Sequence, residues 1–203
     1  MEPCWLYEDN AHEMGYSSVC GVDEVGRGSL AGPVVAASVI LDRRKNWDGI
    51  KDSKLLSYRS RKKLFERIMR DSISWSIGVT DAREVDRINV LNATVAAMKN
   101  AILSLEVRPD FILIDCVRIA ELPSPSLSIV RGDRFCFSIA AASIVAKVYR
   151  DSLMEKLHAF FPEYNFYRNK GYGTEEHRAA LWSFGPCSIH RRTFRGVLES
   201  NEE

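Results

Sequence analysis

The order of short apolar runs and helical segments constrains the fold of this chain more than any other feature. Three runs with strand character come first, at residues 18–23, 34–41 and 73–80, and a glycine-rich turn separates the first two. A helix capped by Ser57 is predicted before the third run, and a second helix from about residue 92 to 105 is predicted after it. The close spacing of the strands favours antiparallel hairpins.

The second half of the chain alternates strands and helices. The run FILID, residues 111–115, is typical of a buried central strand that ends in an acid, and LSIV, residues 127–130, is predicted to be a second such strand. An alanine-rich segment at 138–161 predicts a long buried helix, and Thr174 is placed to cap a further one. Antiparallel strands followed by alternating helices and strands predict an α/β domain with a mixed sheet.

Length and composition exclude several classes of protein. The chain has 203 residues, 46% of them hydrophobic, which suits one compact soluble unit. It has no apolar stretch of membrane-spanning length, and its acidic N-terminus does not resemble a secretory signal. Its five scattered cysteines predict free thiols that pack in a reducing cytosol, so we expect a cytoplasmic protein.

Charge is balanced overall and uneven locally. The net charge is +1, yet residues 51–70 carry eight Lys or Arg against two acids. Further basic residues follow near the C-terminus: Arg168, Lys170, Arg178, Arg191, Arg192 and Arg195. Such runs are either solvated helix faces or contacts for a polyanion. Two basic patches around an acidic centre favour nucleic acid as the partner.

Four acids follow predicted strands. Asp23 and Glu24 directly precede a Gly-Arg-Gly turn at 26–28, Asp115 ends the run FILID, and Asp133 follows the next strand. If these strands are neighbours, the carboxylates meet, and like charges then disfavour ionisation. Divalent cations resolve that repulsion, and hard oxygen ligands of this type suit Mg²⁺ or Mn²⁺.

Other interpretations of these motifs remain open. Asp133 and, with less weight, Asp115 have the positions of helix caps or turn formers. Gly26, Gly28 and Ala31 fit a dinucleotide-binding pattern, but Gly32 and Pro33 lead into a strand where that motif needs a helix. We therefore discount a dinucleotide site.

A metal-dependent nuclease would use this arrangement well. Two ions about 4 Å apart would activate a water and stabilise the leaving oxygen. Backbone groups of the glycine turn could read a ribose 2′-OH, which distinguishes RNA from DNA. Tyr172 stands between two glycines and either stacks on a sugar or base or is an ordinary half-buried tyrosine.

The histidines and arginines near the C-terminus are ambiguous. His190, Arg191 and Arg192 either contact phosphate or form a solvated turn. His177 lies at the start of a predicted helix, and we expect it to be structural.

These motifs together resemble those of the ribonuclease HII family. The similarity extends over residues from about 19 to 195. It rests on DEVGRGSLAGPVV (23–35), DSKLLS (52–57), INVLNAT (88–94), FILID, RGD with SIAAASIVAKVYRD (131–151), KGYGT (170–174) and GPCSIHRRTF (185–194).

The resemblance implies a ribonuclease H-like fold with a five-stranded mixed sheet flanked by helices. It implies one catalytic domain over 1–203, with an N-terminal extension at about 1–17 and a helical C-terminal part at about 160–203. The implied activity is endonucleolytic hydrolysis of RNA in RNA–DNA hybrids and cleavage 5′ of ribonucleotides embedded in duplex DNA, which leaves 3′-hydroxyl and 5′-phosphate ends. A monomer that needs Mn²⁺ or Mg²⁺ and has no membrane partner is expected.

The family's site residues carry over by position. The metal-binding catalytic set corresponds to Asp23, Glu24, Asp115 and Asp133. The substrate-binding set corresponds to Gly26, Arg27, Gly28, Lys54 and Tyr172, with the turn reading the 2′-OH, Tyr172 packing on the neighbouring sugar and Lys54 contacting phosphate.

The departures from the family pattern are small. Ser29 stands where the family often has proline, and Val25 where alanine is common; neither supplies a ligand. The related ribonuclease HIII lacks the Gly-Arg-Gly turn and has an extra N-terminal domain, for which we expect no room in the 18 residues before the first strand. A sliding-clamp-binding peptide is not evident in the C-terminal LESNEE.

Three alternative functions remain. The first is a hybrid-specific ribonuclease with little activity on single ribonucleotides. The others are a catalytically silent nucleic-acid-binding module and a nucleotide-binding oxidoreductase.

Overall fold

The computed structural model describes residues 2–51, 53 and 56–198. Its strands are β1 (Val19–Val25), β2 (Val34–Ile40), β3 (Ser74–Thr80), β4 (Phe111–Asp115) and β5 (Ser126–Ile129). Its helices are α1 (Leu6–Glu13), α2 (Tyr58–Asp71), α3 (Ala82–Ile88), α4 (Val90–Leu103), α5 (Phe137–His158), α6 (Phe166–Asn169) and α7 (Glu175–Phe184). Short 3₁₀ turns lie at Gly132–Arg134 and Pro162–Tyr164.

The five strands form one mixed sheet in the order β3-β2-β1-β4-β5. β2 pairs antiparallel with both β1 and β3, whereas β4 pairs parallel with both β1 and β5. The predicted mixed sheet and the antiparallel pairing of the first three strands are therefore confirmed.

Helices cover both faces of the sheet. α3 and α4 pack on one face, where Val22, Ala36 and Ile114 meet Ala97 and Met98. α2 and α5 pack on the other face, where Ala37 and Val39 meet Ile68 and the alanines at 140–142. The small side chains of α5 allow it to lie close to β1 and β2, which places its polar residues near the end of β1.

A buried glutamate fixes the beginning of α5. The N-cap residue Cys136 makes no side-chain capping hydrogen bond. Instead Glu8, on α1, accepts hydrogen bonds from Ser138 N at 2.9 Å and Ser138 Oγ at 2.7 Å. Because a carboxylate satisfies free N–H groups at a helix start, α1 helps to hold in place the helix that lines the site.

The predicted caps are confirmed. Ser57 Oγ accepts a hydrogen bond from Ser60 N at 3.1 Å, and α2 begins at the next residue. Thr174 Oγ1 accepts one from His177 N at 3.2 Å at the start of α7.

Some predicted bounds differ from the structure. β1 continues to Val25, because its pairing with β2 extends to Val35, so Asp23 and Glu24 lie within the strand. The helix predicted from about residue 92 begins at Val90 and follows the separate helix α3, because Asn89 has a φ of 67° and breaks the two apart.

The prediction that the strand at 127–130 is buried is wrong. β5 is an edge strand that ends at Ile129, and Leu127 is 43% exposed and Val130 68% exposed. An apolar run alone does not tell a central strand from an edge strand.

The cysteines are free, as predicted. Cys20 and Cys136 are buried, but Cys4 and Cys116 are exposed, so the interpretation of all five as packing residues is wrong for these two. No helix within the described residues is both long enough and apolar enough to cross a membrane.

Candidate active site

Parallel pairing brings acids of β1 and β4 to one edge of the sheet. Val22 pairs with Ile114, so the next residues along the two strands are Asp23 and Asp115. Side chains alternate between the faces of a strand, and Val22 and Ile114 both pack in the core on the α4 side. Asp23 and Asp115 therefore lie together on the side of α5.

Three carboxylates meet at this edge. One oxygen from each of Asp23, Glu24 and Asp115 lies within 4.8 Å of the other two. Glu24 N donates to Asp23 Oδ1 at 2.7 Å, and Gly132 N donates to Asp115 Oδ1 at 2.6 Å. Arg27 Nη1 lies 3.4 Å from Glu24 Oε1. The backbone thus orients two of the carboxylates, while the third, Glu24, is paired with Arg27.

The electrostatics of this trio favour a bound cation. Burial, followed by the charges of Glu24 and Asp115, raises the pKa of Asp23 well above its ordinary value, although a hydrogen bond from Ser143 opposes this. Burial also raises the pKa of Glu24, against the attraction of Arg27. Glu24 Oε2 is buried and finds no hydrogen-bond partner among the described residues. Crowded carboxylates with an unsatisfied oxygen fit a divalent metal site.

Asp133 lies in the wall of the same cavity. It is buried, in the 3₁₀ turn at Gly132–Arg134, and is not one of the three acids whose oxygens converge. The cavity has a volume of about 380 Å³. Its lining residues are Asp23, Glu24, Val25, Ser53, Asp115, Asp133, Ser143, Lys147 and Tyr172.

The Gly-Arg-Gly turn directly follows β1. Gly26 has a φ of +93°, and a Cβ there would lie 2.3 Å from Arg150 Nε and 2.8 Å from Pro33 O, so the fold itself requires glycine. Gly28 is different, because it is exposed and a Cβ there would meet nothing within 4 Å. Nothing in the described part of the chain requires glycine at position 28.

The loop that carries Tyr172 is hydrogen-bonded to the segment after this turn. Gly171 O accepts from Leu30 N at 2.8 Å and from Ala31 N at 3.2 Å, and Tyr172 forms an antiparallel bridge with Ser29. The two loops predicted to contact substrate are therefore adjacent.

The Tyr172 ring is half-buried and faces the cavity. Lys147 Nζ lies 5.6 Å from the ring centroid, and the guanidinium carbon of Arg150 lies 5.4 Å from it. Two cations near one ring hold it by cation–π attraction, so the ring does not stand clear of the chain.

Comparison with known proteins identifies the family. A model of the family described as ribonuclease HII matches residues 20–197. The chain belongs to the ribonuclease HII family. It is 50% identical over 194 residues to a ribonuclease HII of Caldanaerobacter subterraneus subsp. tengcongensis, and the aligned region covers 96% of this chain and 80% of that protein. It is also 50% identical over 199 residues to one of Chlamydia trachomatis, with coverage of 98% and 91%. The chain is therefore a type 2 ribonuclease H, an endoribonuclease.

Solved structures share its fold. The ribonuclease H2 of Pyrococcus horikoshii has a TM-score of 0.79 at 25% identity, with 91% of this chain and 97% of that chain covered. Bst-RNase HIII in complex with Mn²⁺ has a TM-score of 0.71 at 21% identity, with coverage of 94% and 71%. These matches confirm the ribonuclease H-like fold predicted for this family member.

Sequence reasoning missed two polar residues of α5 that line the cavity. Ser143 hydrogen-bonds to Asp23, and its Oγ lies 2.9 Å from Ser53 Oγ. Lys147 follows one turn later, and its Nζ donates to Asp151 Oδ1 at 2.7 Å. A signal was present, because these polar residues recur every four positions along an otherwise apolar helix, which places them on one face.

The predicted phosphate contacts divide into two groups. His190 and Arg191 are buried, so the expectation that they contact phosphate or form a solvated turn is wrong for both; Arg192 is exposed. His177 is structural, as expected, because its Nδ1 lies 2.9 Å from Tyr172 O and its Nε2 lies 2.9 Å from His190 Nε2.

The basic run at 51–70 also has two parts. Arg59, Lys62 and Lys63 are exposed on α2. Arg61 instead donates to Ser53 O and Leu56 O, each at 3.0 Å, and so ties Ser53, which lines the cavity, to α2. Lys54, predicted to contact phosphate, lies outside the described residues.

Proposed function

We propose that this ribonuclease hydrolyses the RNA strand of RNA–DNA hybrids and cuts duplex DNA on the 5′ side of embedded ribonucleotides. The products are a 3′-hydroxyl and a 5′-phosphate end. Such cleavage would begin the excision of ribonucleotides from DNA and remove hybrid RNA left by replication. The observation that carries the proposal is one cavity in which the converging acids meet the Tyr172 loop, beside the Gly-Arg-Gly turn.

In this proposal the acids hold the metal. Asp23, Glu24 and Asp115 supply converging oxygens, and Asp133 in the cavity wall completes the set. Hard oxygen donors favour Mg²⁺ or Mn²⁺. When bound, such ions lower the pKa of water and neutralise the charge on a phosphate. Burial of Asp23 supports this role, since a dry site strengthens the attraction between carboxylate and cation.

The glycine turn and Tyr172 recognise the ribonucleotide. The open space around Gly28 leaves its backbone accessible, so a sugar could approach N–H and C=O groups that donate to and accept from a 2′-OH. Arg27, whose side chain is 41% exposed, stands beside the metal-binding acids. The Tyr172 ring, which faces the cavity, packs on the neighbouring sugar.

Basic groups around the cavity bind the phosphates. Lys147 lines the cavity, and its Nζ lies 2.7 Å from Asp151 Oδ1 and 5.6 Å from the centre of the Tyr172 ring, where a phosphate backbone could pass. We assign further phosphate contacts to Lys54 and to the exposed basic residues of α2. Phosphate contacts of this type position the substrate without reading its sequence.

We also propose that the chain acts as one catalytic domain, as a monomer, in the cytoplasm. The free state of all five cysteines supports a reducing compartment. RNA–DNA hybrids and ribonucleotide-containing duplex DNA are the proposed partners.

Mapping of the cut on a duplex with one ribonucleotide tests the proposal. With Mn²⁺ or Mg²⁺, we expect a single cut 5′ of the ribonucleotide, a 3′-hydroxyl end, and no cut in the matched all-DNA duplex. Asp115→Asn should bind the duplex without cutting it. Cleavage of long hybrids alone would favour the hybrid-specific alternative, and activity retained by Asp115→Asn would contradict the assigned role of the acids.

A further inference from the structure

Two arginines, Arg150 and Arg191, are fully buried behind the Gly-Arg-Gly turn. Neither forms an ion pair with any residue that the structure describes. Removal of a guanidinium from water costs several kcal/mol unless other groups compensate it. The compensating groups here are backbone carbonyls, and their positions indicate what the arginines do.

Arg191 holds the turn itself. Its Nη1 donates to Arg27 O, in the middle of the turn, at 2.9 Å. Its Nε and Nη2 donate to Gly32 O at 3.0 and 2.8 Å. One side chain thus connects the turn to the start of the segment that leads into β2.

Arg150 connects the same segment to the tyrosine loop. Its Nε donates to Pro33 O at 2.9 Å and its Nη2 to Ala31 O at 3.1 Å. Its Nη1 donates to Lys170 O at 2.8 Å, two residues before Tyr172. The guanidinium also lies 5.4 Å from the centre of the Tyr172 ring.

The two guanidinium groups repel each other. Burial and the nearby charge of Arg150 lower the pKa of Arg191 to about 9. Burial also lowers the pKa of Arg150. An arrangement that keeps two like charges buried near each other is costly. A planar guanidinium can donate to several separated carbonyls at once, which the single ammonium of lysine cannot do in the same geometry.

We infer that Arg191 and Arg150 are positioning residues that set the selectivity for ribonucleotides, by fixing the Gly-Arg-Gly turn and the Tyr172 loop relative to each other. Neither side chain touches the substrate. Each acts through backbone carbonyls, of Arg27 and Gly32 for Arg191 and of Ala31, Pro33 and Lys170 for Arg150. The inference rests on the proposed function, because it assigns ribonucleotide recognition to the two loops.

Lysine substitutions test the inference because they keep the charge and remove the fork. The measured quantity is a selectivity ratio: the Ki of an all-DNA duplex divided by the KM of the same duplex with one ribonucleotide. This ratio does not depend on the fraction of protein that is active, so a loss of stability alone leaves it unchanged. The variants are Arg191→Lys and Arg150→Lys, and the matched control is Arg87→Lys, an exposed arginine paired with Glu84 on α3.

We expect Arg191→Lys and Arg150→Lys each to lower the ratio by about fivefold or more, as the loss of one well-placed hydrogen bond would. The Ki of the all-DNA duplex should stay within about twofold, because the phosphate contacts remain. Arg87→Lys should leave the ratio at the wild-type value.

Two results would overturn the inference. One is a lower kcat with an unchanged ratio, which would assign the arginines to stability alone. The other is failure of both lysine variants to fold in the cold, judged by circular dichroism. A wild-type enzyme with no preference for the ribonucleotide would instead contradict the proposed function.

Discussion

Asp23→Asn should stabilise the metal-free protein and strongly reduce its stabilisation by metal. At an effective dielectric constant of about 20, two unit charges 4.8 Å apart repel by about 3.5 kcal/mol, and Asp23 faces two such neighbours. Asparagine keeps an oxygen for the hydrogen bonds from Glu24 N and Ser143 and removes the charge. The substitution therefore relieves repulsion without loss of the local contacts.

The sign follows from proton binding. Burial, Glu24 and Asp115 raise the pKa of folded Asp23 above its ordinary value of 3.8, so the folded protein holds this proton more tightly than the unfolded chain does. The free energy of unfolding consequently falls as the pH rises between the two pKa values, and the full cost is present above the higher one. At pH 7 the cost of the buried Asp23 charge cannot exceed about 4 kcal/mol. Protonation of Asp23 removes the charge, and it costs only about 1.4 kcal/mol for each pH unit above the ordinary pKa of 3.8.

We expect Asp23→Asn in EDTA at pH 7 to gain about 2 kcal/mol or more, a rise in Tm of at least ~4 °C for a domain of this size. Manganese at about 100 times its Kd should stabilise the wild type by about 2.7 kcal/mol and the variant by much less. Thermal unfolding with and without metal measures both. Asp48→Asn, a change at an exposed surface aspartate, is the control and should leave both Tm values unchanged.

A lower Tm of Asp23→Asn in EDTA would contradict the predicted repulsion, since the charge would then stabilise the metal-free fold. An undiminished rise in Tm with manganese would refute the assignment of Asp23 as a ligand.

Three further predictions concern recognition and pH. Gly28→Ala should leave the free energy of unfolding unchanged or raise it by up to about 1 kcal/mol, because a Cβ at this position meets no other atom. The same substitution should strongly reduce cleavage at a ribonucleotide. An unaltered kcat/KM would contradict a close approach of the substrate to Gly28. Tyr172→Phe should keep the preference for a single ribonucleotide over an all-RNA strand, whereas Tyr172→Ala should lose it, because stacking of the ring on the substrate contributes about 1–3 kcal/mol. The measurement is the ratio of kcat/KM on the two substrates. An equal ratio in the wild type and in Tyr172→Ala would contradict the prediction. Burial and the charge of His177 lower the pKa of His190 from 6.5 to about 4, so the folded state binds fewer protons than the unfolded chain in this range. As the pH falls from 6.5 to 4, this group should therefore lower the free energy of unfolding by about 3 kcal/mol. Urea unfolding across that range should show a smaller loss in His190→Asn, and an identical loss would exclude this source.

The sequence predicted the parts of the site that depend on strand ends. Asp23 and Asp115 each follow an apolar run, and parallel neighbours necessarily bring such ends to one edge. The placement of Asp133 depends in addition on the turn after β5. Asp133 lies in the cavity wall, because the left-handed residue Arg131, with a φ of 58°, turns the chain after β5.

The sequence could not predict which charged side chains are buried. Arg191 and Arg192 are neighbours of identical type, yet only Arg191 turns inward, to carbonyls more than 150 positions away in the chain. Backbone carbonyls leave no trace in residue identity, so no pattern distinguishes the two arginines. Edge strands present the same difficulty, because the exposure of Leu127 depends on whether another strand pairs with the outer side of β5.

Anomalous diffraction from crystals soaked in manganese tests most directly whether the acids of β1 and β4 form a metal site. We expect a manganese peak between β1 and β4, at direct ligand distance, about 2.0–2.5 Å, from oxygens of Asp23, Glu24 and Asp115. A peak elsewhere, or none among these oxygens at saturating manganese, would contradict the claim that the strand-end acids form the metal site.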